Sequence, residues 1–303
     1  MNVPSYQGLF FATYSPMHAD RSLNLDVIPD LVEYNIQSGA AGLYLCGTTG
    51  EGMSLSTQER KDICEAFIKA VSGRIPVIVQ VGHNAIPDAC DLARHAEASG
   101  AQGISAHPPT YYKVEDVESL VELSKQVAAA SPTLPFYYYH IPSFTGAHFS
   151  MKEFSIRASN EIPTFGGIKF SDSRIDFLKQ AMDACHSDLN WFWGCDEMLF
   201  SGLSNGIHAA VGSTYNVFAR EFYKVIDHFN NGNLEEAQKA QLHCTKLIST
   251  VAQFPFHAAM KSLITRFGVS CGPTRLPNLP MTPELEEKLF ERLRDLNFEV
   301  PNQ

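Results

Sequence analysis

The sequence alternates between short apolar runs and segments with helical periodicity, and this alternation restricts the possible folds more than any other feature. Eight of the runs are rich in β-branched and aromatic residues, as buried strands are. They are LFFATYSP from Leu9, GLYLCG from Gly42, PVIVQVG from Pro76, GISAHPP from Gly103, PFYYYHIP from Pro135, FGGIKFSD from Phe165, NWFWGCD from Asn190 and HAAVGS from His208. Because parallel strands require crossover connections, the pattern predicts a parallel sheet with helices outside it.

The number of repeats favours a closed barrel over an open sheet. Eight strand-helix units fit the usual size of a (β/α)8 TIM barrel, which is about 250 residues. An open doubly wound sheet usually carries a glycine-rich phosphate-binding turn after its first strand, and LFFATYSP is not followed by one. We therefore predict an α/β protein with a (β/α)8 TIM barrel, whose active site lies at the carboxyl ends of the strands.

Helical periodicity continues after the eighth run. It covers AREFYKVIDHFNNG, NLEEAQKAQLHCTKLISTVAQ, and segments from Pro255 to Phe267 and from Pro283 to Leu296. We predict a catalytic barrel over residues 1–218 and a C-terminal helical extension over residues 219–303 that packs on the barrel. Within the barrel, Ser56 and Glu59 have the spacing of a capping box at a helix N-terminus.

Composition excludes several classes of partner. The net charge is −10 and no cluster of lysine and arginine could follow a phosphate backbone, so we expect no nucleic-acid partner. The seven cysteines are scattered without a C-x-x-C pair, and the histidines have no metal-binding spacing, so we expect neither a disulfide framework nor a metal site. The N-terminus does not resemble a signal peptide, and no apolar stretch could span a membrane. These features predict a cytoplasmic protein with no membrane partner.

Lys169 is the strongest candidate for a catalytic residue. It ends the sixth apolar run, where alternation places Phe165, Gly167 and Lys169 on the face toward the barrel interior, and Ile168 and Phe170 on the face toward the helices. An arbitrary lysine usually packs its stem and exposes its ammonium group. At an inward-facing strand end, however, desolvation favours the neutral amine, which can attack a ketone and form a Schiff base.

Tyr139 and the loop after the second strand are further candidates. Tyr139 and Tyr137 share one face of the fifth run, and Tyr139, nearer the strand end, could exchange a proton with a reacting oxygen. In CGTTGEG, backbone N–H groups and the hydroxyls of Thr48 and Thr49 could bind a carboxylate without arginine. The alternatives are an aromatic core residue and an ordinary strand-to-helix loop.

Polar residues also follow the last two strands. Asp196 and Glu197 could accept hydrogen bonds from a polyol, and Ser213 could donate or accept one. The alternatives are acidic residues favoured by a helix dipole and a helix-capping serine.

Three segments, GTTGE (47 to 51), YYYHIP (137 to 142) and GIKFSD (167 to 172), resemble motifs of the pyruvate-dependent class I aldolases of the dihydrodipicolinate synthase and N-acetylneuraminate lyase family. Their order and spacing match over nearly the whole chain. The resemblance implies that Lys169 forms a Schiff base with pyruvate, and that Tyr139 shuttles protons. It further implies that Thr48 and Thr49 bind the pyruvate carboxylate, that no cofactor is needed beyond the covalent Schiff base, and that the chain forms a homotetramer.

The resemblance also covers a tyrosine pair after the fourth strand. In some members of the family, one tyrosine of this pair reaches the site of a neighbouring subunit. Here the pair is Tyr111 and Tyr112, and the resemblance implies that Tyr111, together with Thr48, tunes the phenol of Tyr139.

Substrate contacts separate the branches of this family. Dihydrodipicolinate synthases typically carry an arginine where this chain has Phe144, whereas the sialic-acid-cleaving branch resembles this chain in its G-x-D-E and GSTYN segments. The resemblance therefore implies reversible cleavage of N-acetylneuraminate to N-acetylmannosamine and pyruvate. The residues implied to contact this substrate are Thr48, Thr49, Ser171, Gly194, Asp196, Glu197 and Ser213.

Two alternatives to this activity stay open at the level of sequence. One is another pyruvate-dependent 2-keto acid aldolase or a dihydrodipicolinate synthase-like enzyme. The other is a non-catalytic protein that binds sugar acids.

Overall fold

Eight parallel strands form a closed barrel in sequence order, with β1 hydrogen-bonded to both β2 and β8. A computed structural model describes residues 4–185 and 188–301, so the ends of the two predicted domains and residues 186–187 lie outside the described residues. The strands are β1 Gly8–Ala12, β2 Gly42–Leu45, β3 Val77–Gln80, β4 Gly103–Ala106, β5 Phe136–His140, β6 Phe165–Phe170, β7 Asn190–Trp193 and β8 Ala209–Gly212. The predicted (β/α)8 TIM barrel is confirmed, and each of the eight apolar runs coincides with one strand to within a residue at the strand's start.

Helices connect successive strands and cover the outside of the barrel. They are α1 Ile28–Gln37, α2 Thr57–Val71, α3 Ile86–Ser99, α4 Val117–Ala129, α5 Pro142–Thr145, α6 Met151–Glu161, α7 Ile175–Ala184, α8 Leu199–Ser204 and α9 Tyr215–Asn230. The predicted capping box is present at α2, where the Ser56 hydroxyl accepts the Glu59 N–H and the Glu59 carboxylate accepts the Ser56 N–H. None of the described helices is long and apolar enough to cross a bilayer.

Three further helices follow the barrel: α10 Leu234–Val251, α11 Phe256–Arg266 and α12 Pro283–Asp295. Their bounds agree with the helical segments predicted from sequence to within two residues. The predicted domain boundary at residue 218 falls inside α9, where Phe218 departs from helical geometry with φ −103° and ψ 15°. The division into a barrel and an extension stays a prediction.

Aromatic rings fill the lower part of the barrel. The Phe192 ring packs edge-on against Phe10, at 5.2 Å between centroids, and against Tyr137, at 5.3 Å. Tyr6 packs on Phe10 from the N-terminal segment, with centroids 5.2 Å apart. This packed interior leaves polar chemistry to the opposite end of the barrel, where the strands have their carboxyl ends.

Strand β6 contains a bulge that strict alternation does not anticipate. Phe165 pairs with Phe136 but Gly167 pairs with Tyr137, so Gly166 is an extra residue on β6. The prediction that Phe165 faces inward with Lys169 is therefore wrong. Phe165 packs outward against Phe154 of α6, with ring centroids 6.0 Å apart, because the bulge shifts the alternation by one residue.

Gly167, directly after the bulge, requires the absence of a side chain. Its φ is +133°, and a Cβ atom there would lie 1.8 Å from the backbone carbonyl oxygen of Asn190 on β7. We expect Gly167→Ala to lower the free energy of unfolding by about 3 kcal/mol or more, since it adds both strain and a clash with backbone. Chemical denaturation monitored by circular dichroism measures this change.

Gly232→Ala is the matched control, because Gly232 also has positive φ, +75°, but no atom lies within 4 Å of a Cβ built there. We expect this control to cost about 1 kcal/mol. Equal losses in the two variants would contradict the close approach of β6 and β7.

Candidate active site

Lys169 and Tyr139 lie side by side because β5 and β6 are paired in register at these two residues. Both face the barrel interior, and their exposed fractions are only 5% and 3%. The Lys169 Nζ lies 3.5 Å from the centroid of the Tyr139 ring and 5.1 Å from that of Tyr44. The predicted inward orientation of both side chains is therefore found in the structure, and a buried amine lies next to a phenol.

The Tyr139 hydroxyl reaches the loop that follows β2. It lies 3.3 Å from Thr48 Oγ1, within hydrogen-bonding distance. His107, directly after β4, packs edge-on against the Tyr139 ring with centroids 6.2 Å apart. Its Nδ1–H donates to the Pro108 carbonyl, and burial lowers the pKa of His107 to about 4, so its imidazole is neutral at pH 7.

The loop after β2 is tightly folded and contacts the loop after β8. The Thr49 and Ser213 hydroxyls lie 2.7 Å apart, so two loops that are distant in sequence share one polar edge. Cys46 and Glu51 flank the loop in the left-handed region, with φ 56° and 55°. At Gly52, a Cβ would lie 1.9 Å from the Cys46 carbonyl oxygen, so only glycine permits this turn.

Glu51 fixes this loop to the C-terminal helices. Its carboxylate is buried and accepts hydrogen bonds from Lys261 Nζ at 3.2 Å, the Arg275 backbone N–H at 2.8 Å and Asn278 Nδ2 at 3.2 Å. Lys261, on α11, also donates to the Pro273 carbonyl, and burial lowers its pKa. Sequence reasoning quoted Glu51 within the motif but assigned it no partner.

Asp196 begins a short 3₁₀ turn, Asp196–Met198, between β7 and α8. The Asp196 Oδ2 accepts hydrogen bonds from the Thr214 N–H at 3.0 Å and from the Thr214 hydroxyl at 2.6 Å. A Cβ at Gly212 would lie 2.0 Å from Asp196 Oδ1, so this glycine makes room for the carboxylate. Burial raises the pKa of Asp196 to about 6. Its neighbour Glu197 is exposed.

Ser171 and Gly194 complete the wall beside the lysine. Lys169 Nζ donates to Ser171 Oγ at 3.2 Å, so the hydroxyl orients the amine. A Cβ at Gly194 would lie 2.1 Å from Ser171 Oγ, and the Gly194 N–H donates to the Phe170 carbonyl at 2.8 Å. Glycine at this position therefore leaves space for the serine hydroxyl.

A cavity of about 220 Å³ brings together all the candidate residues except Tyr111. It is lined by Thr48, Thr49, Tyr139, Lys169, Ser171, Gly194, Asp196, Glu197 and Ser213, together with residues that sequence reasoning did not select. Tyr111 is 79% exposed and packs on Tyr112, with ring centroids 5.1 Å apart. Its neighbour Thr110 lines an adjacent cavity of about 450 Å³ that also contains Thr48 and Ile141.

Some of the residues missed by sequence reasoning could have been found. Thr214 follows Ser213 in a segment already selected, and Gly212 precedes it. Phe256, which lines the cavity from the start of α11, lies far from every motif and carries no local signal. Among residues 4–185 and 188–301, no group of three His, Cys, Asp or Glu side chains could hold a metal ion.

Relatives of known function share most of the length of this chain. The N-acetylneuraminate lyase of Xenopus tropicalis is 38% identical over 275 residues, which cover 89% of this chain and 90% of that protein. The N-acetylneuraminate lyase of Rattus norvegicus is 35% identical and the match covers 96% and 93% of the two chains.

Solved structures of N-acetylneuraminate lyases are also similar to this chain over nearly its whole length. The N-acetylneuraminate lyase (sialic acid aldolase) of Aliivibrio salmonicida is 33% identical, with a TM-score of 0.94 over 99% of each chain. The N-acetylneuraminate lyase of Proteus mirabilis is 32% identical, with a TM-score of 0.93 over 97% of this chain and 99% of that one. Since residues 5–296 also match the sequence pattern of the Dihydrodipicolinate synthetase family, the chain belongs to that family.

Proposed function

We propose that this protein is a class I aldolase that reversibly cleaves N-acetylneuraminate to N-acetylmannosamine and pyruvate. The observation that carries the proposal is the buried Lys169 amine, 3.5 Å from the centroid of the Tyr139 ring, in a cavity that also contains Asp196. Relatives named N-acetylneuraminate lyase, at 34% to 41% identity, support this substrate.

Lys169 is the nucleophile in the proposed mechanism. Its neutral amine attacks the C2 ketone of the open-chain sugar acid, and loss of water gives an iminium ion. Thr48 and Thr49 hold the C1 carboxylate through hydroxyl and backbone donors, while Ser171, 3.2 Å from the amine, orients the attack. Because the lysine itself supplies the electron sink, we propose that no organic cofactor or metal takes part.

Tyr139 moves the proton. Its hydroxyl first donates a proton to the hydroxide that leaves as the iminium forms. The resulting phenolate oxygen then takes the proton from the C4 hydroxyl while the C3–C4 bond breaks, and the bond electrons pass into the iminium to give an enamine. N-acetylmannosamine leaves, and the Tyr139 hydroxyl protonates the enamine at C3. Hydrolysis of the resulting iminium ion by water releases pyruvate and free Lys169 and returns the proton to Tyr139. The hydroxyl of Thr48, 3.3 Å from the Tyr139 hydroxyl, links this proton transfer to the carboxylate-binding loop.

Residues that follow β6, β7 and β8 bind the sugar in the proposed mechanism. We propose that the carboxylates of Asp196 and Glu197 accept hydrogen bonds from the polyol tail. Ser171, Ser213 and the backbone of Gly194 orient the remaining hydroxyls. Asp196 suits this role because Thr214 and Gly212 hold its carboxylate in one position.

We propose a homotetramer, and large apolar side chains exposed beside the site support a subunit interface there: Met53 and Phe144 line the adjacent cavity. Met53 is 47% exposed, Phe144 63% and Tyr112 84%, which is unusual for side chains of this size clustered at one end of a fold. We propose that a neighbouring subunit covers this end and that Tyr111 acts from one subunit on the Tyr139 of another. We further propose a cytoplasmic location, and a helical extension beginning near residue 219.

The other branches of the family are tested by substrate range. Phe144 stands where dihydrodipicolinate synthases carry arginine and lines the cavity next to the site, which disfavours a second carboxylate. Pyruvate release measured across a panel of sugar acids distinguishes N-acetylneuraminate from other 2-keto acid substrates. A thermal shift with N-acetylneuraminate but no pyruvate would instead indicate a binding protein.

The Schiff base provides the most direct test of the mechanism. Borohydride reduction in the presence of pyruvate should add the ligand to Lys169, as located by peptide mass spectrometry. Lys169→Ala should form no adduct. Its kcat/KM should fall by at least about 1,000-fold, because the covalent intermediate can no longer form. Lys261, a second buried lysine that is paired with Glu51, is the internal control and should stay unmodified. An adduct on Lys261 alone would refute the assignment.

Tyr139→Phe should lower kcat by about 100- to 10,000-fold with a smaller change in KM, because only the proton-transferring hydroxyl is removed. Tyr137→Phe is the matched control, because Tyr137 lies on the same strand and the same face as Tyr139. It lies deeper in the barrel than Tyr139, and its ring centroid is 5.3 Å from that of Phe192. The control should change kcat by less than about twofold. Steady-state kinetics of pyruvate release measure both variants, and equal effects would argue against Tyr139 as the proton shuttle.

Affinity for the sugar should depend on pH through Asp196. Its raised pKa, about 6, means that the group gains a proton and loses an acceptor as the pH falls through 6. In the condensation direction, KM for N-acetylmannosamine should therefore rise between pH 7.5 and pH 5. Asp196→Asn should have a raised KM throughout without this step, whereas Glu197→Gln should keep the step. A pH step that survives in Asp196→Asn would assign it to another group.

A further inference from the structure

Gln241, on α10, contacts the segment that carries the two acidic residues of the site although it does not line the cavity. Its Nε2 donates to the backbone carbonyl of Asp196 at 3.2 Å, and its Oε1 accepts the backbone N–H of Phe200 at 2.9 Å. The side chain is 9% exposed. One buried amide therefore joins the Asp196–Met198 turn and the first turn of α8.

This segment has few hydrogen bonds of its own. Within residues 188–301, neither of the two N-cap residues, Cys195 for the 3₁₀ turn and Met198 for α8, makes a side-chain capping hydrogen bond. The first N–H groups of a helix have no partner within the helix. Gln241 supplies one such partner, at Phe200, from a different helix, and so acts as a cap in place of a local residue.

Thr245, one turn further along α10, contacts the next peptide of the same segment. Its hydroxyl lies 3.1 Å from the Glu197 carbonyl and 2.9 Å from the Gln241 carbonyl. The carbonyls of both acidic residues are thus within hydrogen-bonding distance of α10 side chains. The side chain of Asp196 is separately held by Thr214, so different residues hold its backbone and its carboxylate.

We propose that Gln241 is a positioning residue that sets the affinity of the site for the sugar half of its substrate. It acts by holding the backbone of Asp196 and Glu197, and this inference rests on the proposed aldolase function. In the proposed mechanism, hydrogen bonds from the polyol require these two carboxylates at fixed positions. A free 3₁₀ turn would have to be ordered by the substrate itself, which lowers affinity.

The pyruvate half of the site is held by other elements. Lys169 lies on β6, and the loop with Thr48 and Thr49 is fixed through Glu51 to Lys261 of α11. Gln241 contacts neither of them. Loss of its amide should therefore separate the two halves of the reaction: weaker binding of the sugar, with unchanged formation of the Schiff base.

Gln241→Met tests the inference, because methionine keeps the length of the side chain and removes the hydrogen bonds of the amide. These bonds join it to Asp196, to Phe200 and, at 3.4 Å, to the Thr245 hydroxyl. Condensation of pyruvate with N-acetylmannosamine gives a KM for each substrate. We expect KM for N-acetylmannosamine to rise about five- to tenfold, and KM for pyruvate and the yield of borohydride trapping at Lys169 to change by less than about twofold.

Gln238→Met is the matched control, since Gln238 lies one turn earlier on α10 and is exposed. It should change neither KM. Thr245→Val removes only the hydroxyl near the Glu197 carbonyl and should raise KM for N-acetylmannosamine about two- to fivefold. This second variant decides the question if Gln241→Met fails to fold.

The outcomes separate this inference from the function on which it rests. A wild-type protein that forms no product from these two substrates refutes the proposed function and the inference with it. A wild type that is active, with Gln241→Met and Thr245→Val indistinguishable from it, refutes the inference alone. Parallel rises in both KM values together with reduced trapping also overturn it, because they indicate a general structural role.

Discussion

Hydrogen bonding between β8 and β1 closes the sheet, and the geometry of the site depends on that closure. The polar groups of the cavity come from the ends of β2, β5, β6, β7 and β8, which are spread over most of the sequence. The Thr49 and Ser213 hydroxyls are 2.7 Å apart although 164 residues separate them. In an open sheet, β1 and β8 could lie at opposite edges and these loops would not meet. Closure therefore turns separate strand ends into one cavity.

The helices after the barrel support the site through buried polar groups rather than through apolar packing alone. Lys261 of α11 pairs with Glu51, and both side chains are at most 2% exposed. A buried ion pair contributes little net stability, because the cost of desolvating both charges offsets their attraction. Loss of one partner is nevertheless destabilising, because it leaves an unpaired charge in the interior. Gln241 of α10 similarly joins the turn that carries Asp196. Such contacts fix the positions of the loops. The polar side chains that line the cavity are thereby held where they can bind a substrate.

Sequence reasoning identified the barrel, the strands and the orientation of Lys169 and Tyr139, because alternation and helical periodicity are local properties. It placed Phe165 on the wrong face, since a bulge depends on how two strands pair and not on either strand alone. The motifs selected residues that gather in one cavity. Tyr111 is the exception, and its proposed role requires a neighbouring subunit. The family assignment by resemblance is confirmed by the relatives, while the roles of individual residues remain proposals.

The sequence by itself determined the closed α/β barrel and a lysine at the carboxyl end of β6. Eight alternating strand and helix patterns are compatible with few other folds. In a parallel barrel, the carboxyl ends of all the strands lie at the same end, where the active site forms. Only the tertiary structure decided which distant groups hold the site in place: Lys261 against Glu51, 210 residues apart, and Gln241 against Asp196, 45 residues apart. These pairings follow from how the last helices pack on the barrel, and no local pattern of charge or apolarity encodes that packing.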